Sequence, residues 1–340
     1  MTPRFKVSLV FAVGLLLVGS LVPTAKAQLA TLTAAGVADG FTLTTFATTN
    51  PGNTGCCGGP FGVAVASNGN IIVSDGALGT RYVFSDVDGQ TIGSALSSAP
   101  SNSFTQAYAT AGGKAYGGIG GSFAQFNNDG TVNHSLTFPG QLGLSPFLGM
   151  WGDPVNGDII ATSNRGLVDI NPLANAGAGS YRIINGQSGD GVSVSPDGTT
   201  AYLEQGSING YNITTGLQTF NSGFLFNSPD GTGVITSTNS LNGDIIVNNN
   251  NGEIDLLDPN TKAVTVIATG GTRGDYTSPD TNNGSIFLDF SDLVARLSCG
   301  QGCSIGGPPP NTPEPASLFL LGSGLVGLAG WKRRTHRKKA

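Results

Sequence analysis

Apolar and polar positions along the chain repeat one pattern six times: an apolar strand, a short polar turn, then a second apolar strand. The turns are Asn68-Gly69-Asn70, Gly112-Gly113-Lys114, Asn156-Gly157-Asp158, Asp197-Gly198-Thr199, Asn242-Gly243-Asp244 and Asn283-Gly284-Ser285. Their glycines stand at 69, 113, 157, 198, 243 and 284, with separations of 44, 44, 41, 45 and 41 residues. Asn-Gly and Asp-Gly between apolar runs signal tight hairpins. Each unit continues into a third strand such as Tyr82-Val83-Phe84 or Glu253 to Leu257. A further turn (Val87-Asp88-Gly89, Asn128-Asp129-Gly130, Thr214-Thr215-Gly216 or Pro259-Asn260-Thr261) leads to a fourth. Four antiparallel strands in about 43 residues make one propeller blade. The pattern predicts an all-β chain, a six-bladed β-propeller over 28–305. The last unit runs from Leu293–Leu297 straight into Cys299, lacking a fourth strand, while Phe41–Phe46 is a spare strand ahead of the first unit. Phe41–Phe46 is expected to complete the last blade and close the ring. Tyr82, Tyr116, Phe126, Tyr202 and Phe287 are expected to pack between blades.

The two ends read as addresses. Arg4 and Lys6, the apolar run Val7–Val22 and Ala25-Lys26-Ala27 form a signal peptide over 1–27, cut between Ala27 and Gln28. A Gly/Pro linker covers 306–312. Pro313-Glu314-Pro315, an uncharged stretch from Ala316 to Trp331 and a basic end from Lys332 to Lys339 follow over 313–340. A span of sixteen residues is slightly short for a bilayer, which takes about 20, and the basic end would stay cytoplasmic. This tripartite tail resembles the PEP-CTERM sorting signal of Gram-negative bacteria. The resemblance implies processing by an exosortase at or near Pro313, Glu314 and Pro315. It also implies transient inner-membrane anchoring through 316–331, then release to the cell surface or extracellular matrix. His336 belongs to the solvated tail.

Composition narrows the picture. Glycine supplies 53 of 340 residues and charged residues only 11%, which excludes a disordered, highly charged chain. The glycines have no three-residue period, which excludes collagen. Three basic residues lie in the signal peptide and six in the tail, leaving 7 basic against 21 acidic residues in 28–315, a net charge of −14. A body this acidic is no partner for nucleic acid. Secretion permits disulfides. Cys56 and Cys57 follow the closing strand, and Cys299 and Cys303 follow the last blade. That placement predicts bridges from the first pair to the second across the seam. A local Cys299–Cys303 bond and a metal site are the alternatives, and four cysteines allow three pairings.

Catalytic motifs are scarce. His134 is the body's one histidine and reads as a plain polar residue on a blade's outer part. No Gly-x-Ser-x-Gly elbow occurs, and Gly117–Gly121 lacks the Lys-Ser/Thr of a phosphate loop. The repeats resemble NHL-type and related six-bladed propellers. Asp190 to Tyr202 and Ser228-Pro229-Asp230-Gly231 resemble segments of gluconolactonase-like propellers. That resemblance implies a divalent cation such as calcium, held by Asp190 and Asp230, polarising a lactone or ester carbonyl. A second polar set (Asp75, Asn164, Glu204, Asn249, Asp292) follows the second strands and is expected on one face of the disc. Two functions follow: a non-catalytic surface propeller binding or scaffolding extracellular polysaccharide or surface proteins, or a metal-dependent hydrolase of lactones or esters.

Overall fold

The glycines at 69, 113, 157, 198, 243 and 284 all adopt φ between +69° and +90°, a conformation that a Cβ resists. Each ends the first strand of a blade and starts the second. The structure, a computed structural model, describes residues 27–55, 58–101, 107–120, 122–145 and 148–307. Residues 1–26 of the expected signal peptide, Cys56, Cys57 and the expected sorting signal lie outside the described residues.

Six sheets surround one axis, each with four antiparallel blade strands. Blade 1 comprises Pro60–Val65, Ile71–Asp75, Thr80–Phe84 and Ser97–Pro100. Blade 2 comprises Tyr108–Ala111, Lys114–Ile119, Ser122–Phe126 and Val132–Leu136. Blade 3 comprises Met150–Gly152, Ile159–Ser163, Gly166–Asn171 and Ser180–Asn185. Blade 4 comprises Val192–Val194, Thr200–Glu204, Ile208–Asn212 and Gln218–Asn221. Blade 5 comprises Pro229–Ser237, Ile245–Asn249, Ile254–Leu257 and Val264–Thr269. Blade 6 takes three strands from the end of the body (Gly274–Pro279, Ile286–Phe290, Leu293–Ser298) and its fourth, Thr42–Thr48, from the beginning. The spare strand therefore closes the ring as expected, with Thr42 opposite Ser298 and Thr48 opposite Leu293.

Inner strands begin on one face, called upper here, and end at the six hairpins on the lower face. Apolar side chains alternate to both sides of each sheet and fill the spaces between blades. Phe46, Val63, Val73, Phe84 and Phe287 form one such core between blades 6 and 1. Tyr116, Phe126 and Phe287 are buried, and Tyr82 and Tyr202 pack partly buried against these cores.

Of the pairings open to the cysteines, Cys299 bonds Cys303, with Cα atoms 5.6 Å apart. This corrects the expectation that these two cross the seam. After Ser298 the chain reverses through Gly300 and Gly302, both with positive φ, which brings Cys303 within disulfide reach of Cys299. The following strand, Cys303–Ile305, then pairs on the inner edge of blade 5, with Ile305 opposite Ile235.

The seam has a charged clasp as well as strand pairing. Arg296 of blade 6 pairs with Asp86, with Asp88 at 2.7 Å and with fully buried Asp280 at 3.1 Å. Its guanidinium also lies 4.9 Å from the Phe46 ring and 5.1 Å from Phe287. Removing one partner of a buried pair costs more than the pair is worth, because the other charge is stranded. Arg296→Ala should therefore lower stability by about 3 kcal/mol in urea unfolding. Arg296→Lys should recover little of that, lacking the planar fork.

Candidate functional site at the upper mouth of the channel

The upper mouth is built from two recurring positions. Four inner strands carry a glycine near their upper ends: Gly62, Gly149, Gly191 and Gly231. Opposite them on the second strands stand Ser74, Thr162, Glu204 and Asn248, all at most 2% exposed. Asp289 holds the corresponding place in blade 6. The glycine is required where the polar side chain is large. A Cβ on Gly191 would lie 2.3 Å from both Glu204 Oε2 and the Asp230 carbonyl oxygen. The ring of inner strands is consequently tight. Among the described residues, one pocket between Tyr108, Met150, Val192, Gly231 and Tyr276 holds only 10 Å³, about one water.

Around this closed axis sits a group of acids with one cation. Arg273 donates to Asp230 Oδ2 at 2.7 Å and to Asp275. Asp230 and Asp275 are buried, and Arg273 remains 21% exposed at the side chain. Burial raises both carboxyls against the lowering pull of Arg273. Neither Glu204 oxygen has a partner within full hydrogen-bond distance; the nearby Thr232 hydroxyl, which shares a 2.6 Å bond with Ser193, only partly offsets its burial. Burial pushes its carboxyl up to about 8, with Asp230 and Asp190 adding to the rise. Asn248 donates to the carbonyls of Asp275 and Asp289 at 2.8 and 3.0 Å. The Asp289 carboxyl is fully buried without a hydrogen-bond partner, and burial raises it.

The sequence-predicted residues separate into two groups. Asp190 is exposed on the connection into blade 4, close enough to Asp230 and Glu204 to act on them electrostatically. The second polar set shares the upper face without forming one cluster. Asp75 accepts from the Leu78 N–H, Asn164 from the Ser145 N–H, and Asn249 donates to Asp255. Asp292 accepts from the Gln28 N–H and the Thr272 hydroxyl. Sequence reasoning missed Arg273, Asp275, Asn248 and Asp289. Arg273 had a usable signal: it is one of seven basic residues in an acidic body and stands two residues before Asp275.

A calcium ion takes six to eight oxygens, and these residues do not offer them. Asp230 is paired with Arg273, Asp190 is exposed beside it, and among the described residues no group of three His, Cys, Asp or Glu side chains is placed to hold a metal ion. The guanidinium supplies the positive charge that a cation would bring.

The lower mouth is partly covered and keeps a larger space. Cys303–Ile305 lies along the inner edge of blade 5, and the Gly306 N–H donates to the Val234 carbonyl at 2.7 Å. Gly306 sits against Trp151, and Gly306 and Gly307 line a 440 Å³ cavity with the hairpins of blades 2 and 3. The chain thus leaves the middle of the lower face toward its last segment. Residues 311–334 match the PEP-CTERM protein-sorting motif. PEP-CTERM sorting implies an exported chain, anchored in a membrane, processed by an exosortase and placed at the surface.

Solved structures share the fold. A gluconolactonase from Xanthomonas campestris is 15% identical, with a TM-score of 0.55 over 81% of this chain and 96% of that one. A Bacteroides thetaiotaomicron protein of unknown function is 10% identical, with a TM-score of 0.53 over 76% of each chain. The WD40 propeller domain of Doa1 is 12% identical, with a TM-score of 0.51 over 70% of this chain and 78% of that one. No curated protein sequence matches the chain.

The raised carboxyls fix the sign of a pH effect. Glu204, Asp230 and Asp275 hold protons more tightly folded than unfolded, where they titrate near pH 4. Between about pH 4 and 8 the folded state carries the extra protons, so stability falls as pH rises. Urea midpoints should drop from pH 5 to pH 8, and Glu204→Gln should flatten that slope. A midpoint that climbs over this range would contradict the burial of these groups.

Proposed function

We propose that the protein is a non-catalytic surface propeller that binds polysaccharide of the extracellular matrix through its upper face. The observation that carries this reading is the placement of the two mouths. The described chain reaches Gly307 on the lower face, ahead of the segment that matches the PEP-CTERM motif, so an anchored chain would turn its upper face away from the membrane. That face offers exposed apolar side chains on its loops: Leu78, Leu148, Leu225 and Phe224, the last 90% exposed. An exposed aromatic ring suits the apolar face of a sugar. The acidic body favours neutral glycans over acidic ones, which it would repel. Arg273, seated between Asp230 and Asp275, speaks against a cation-dependent hydrolase, the competing reading.

Retention on insoluble neutral polysaccharide tests the proposal. Phe224→Ala should weaken retention by about tenfold while leaving the thermal midpoint unchanged. Calcium and EDTA should each leave that midpoint unchanged. Turnover of lactones or esters with added divalent metal, abolished by Asp190→Ala, would overturn the reading in favour of the hydrolase.

A further inference from the structure

The first described residues end on a buried acid. The Gln28 backbone nitrogen lies 2.7 Å from Asp292 Oδ2. Asp292 is 0% exposed, and its other oxygen accepts from the Thr272 hydroxyl at 2.8 Å. Among the described residues no Lys or Arg side chain pairs with it. The Gln28 side-chain amide reaches the other way, to the Gly270 carbonyl at 2.5 Å. From there the chain bridges the last two blades. Thr31–Leu32 adds to the outer edge of blade 5, opposite Thr269 and Ala268. The short helix Ala34–Ala38 is capped by Thr33, and its Gly36 lies so close to Ile267 that a Cβ would meet the carbonyl at 2.3 Å. The chain then enters the closing strand of blade 6.

In the uncut precursor Gln28 offers Asp292 one neutral amide hydrogen. We propose that cleavage of the Ala27–Gln28 bond supplies the cation this buried carboxylate lacks, and so locks the seam only after export. Hydrolysis adds one water: Ala27 keeps the new carboxylate on the departing peptide, and Gln28 keeps the amine. The amine takes a proton from solvent and sits on Asp292 as an ammonium. A charge-assisted bond is about twice as strong as a neutral one, and at this position it ties blade 5 to blade 6. An N-terminal glutamine can also cyclise. Its amine then attacks its own side-chain carbonyl carbon, the amide C–N bond breaks, ammonia leaves and a neutral lactam remains. Here Asp292 and the Gly270 carbonyl hold the amine and the amide apart.

This inference rests on the signal-peptide reading, and the test separates the two. Intact mass of the exported protein first reports whether Gln28 is the terminus; any other terminus defeats the cleavage reading alone. The lock is then tested with the full mature chain, Gln28 to Ala340, released from a cleavable fusion. Its comparison carries Ala-Lys-Ala, the natural residues 25–27, in front of Gln28. The free-amine chain should melt about 2 °C higher, and Asp292→Asn should erase that difference. In native protein the Gln28 amine should react with an acylating reagent at least tenfold more slowly than after unfolding, a readout that needs no variant. Equal melting of the two chains, or a mass lower by one ammonia at Gln28, would overturn the lock.

Discussion

Pairing between Thr42–Thr48 and Leu293–Ser298 is the constraint on which the rest of the molecule depends. Five blades are built from contiguous chain, and each buries its two faces only if a neighbour stands on either side. Without the closing strand, blade 6 would present an open edge and blade 1 an uncovered apolar face. The N-terminal strand solves both problems at once. It adds the missing backbone partner to blade 6 and places Phe46 against Phe84 and Phe287 in the core facing blade 1. The charged clasp of Arg296 and the strand at 31–32 reinforce this junction from its two sides.

Ring closure also explains the crowded axis. Six blades converge on a channel with little free volume, so inner strands carry glycine where a neighbouring carbonyl or carboxyl approaches. The same crowding excludes water from Glu204 and Asp289, and exclusion of water raises both carboxyls. Acid groups, close-packed backbone and an arginine between two carboxyls are therefore consequences of one geometric demand. The upper mouth is electrostatically distinctive, yet shaped as a floor beneath the exposed loops more than as a pocket.

The ring was legible in the chain because its cause is local and repeated. An Asn-Gly or Asp-Gly turn needs positive φ at its glycine, and that need leaves the same mark six times. The spare strand at 41–46 could be read for a similar reason: one unit came up short and one strand came up extra. The disulfide could not be read this way. Its partner choice depends on how tightly the chain reverses through Gly300 and Gly302, and the seam was already held by hydrogen bonds. The upper mouth was half legible. Asp190 and Asp230 were visible as turn-like acids before strands, and Glu204 as a polar end to one. Their relation to Arg273, Asp275 and Asp289 crosses blades, and register between blades is set by packing that no short motif records.

The route by which the chain leaves the ring has a mechanical side. Tension applied beyond Gly307 would first strip Cys303–Ile305 from the inner edge of blade 5, a pairing of three residues. The load would then pass through the Cys299–Cys303 bond, bypassing the loop between them, and arrive at Ser298. That strand is flanked by partners on both sides, Ile286–Phe290 and Thr42–Thr48. The weak outer attachment would thus yield as a short, reversible slack, while the covalent bridge hands sustained force to the most thoroughly paired strand of the seam. A protein tethered at a surface under flow would stretch by a few residues before its ring was asked to resist.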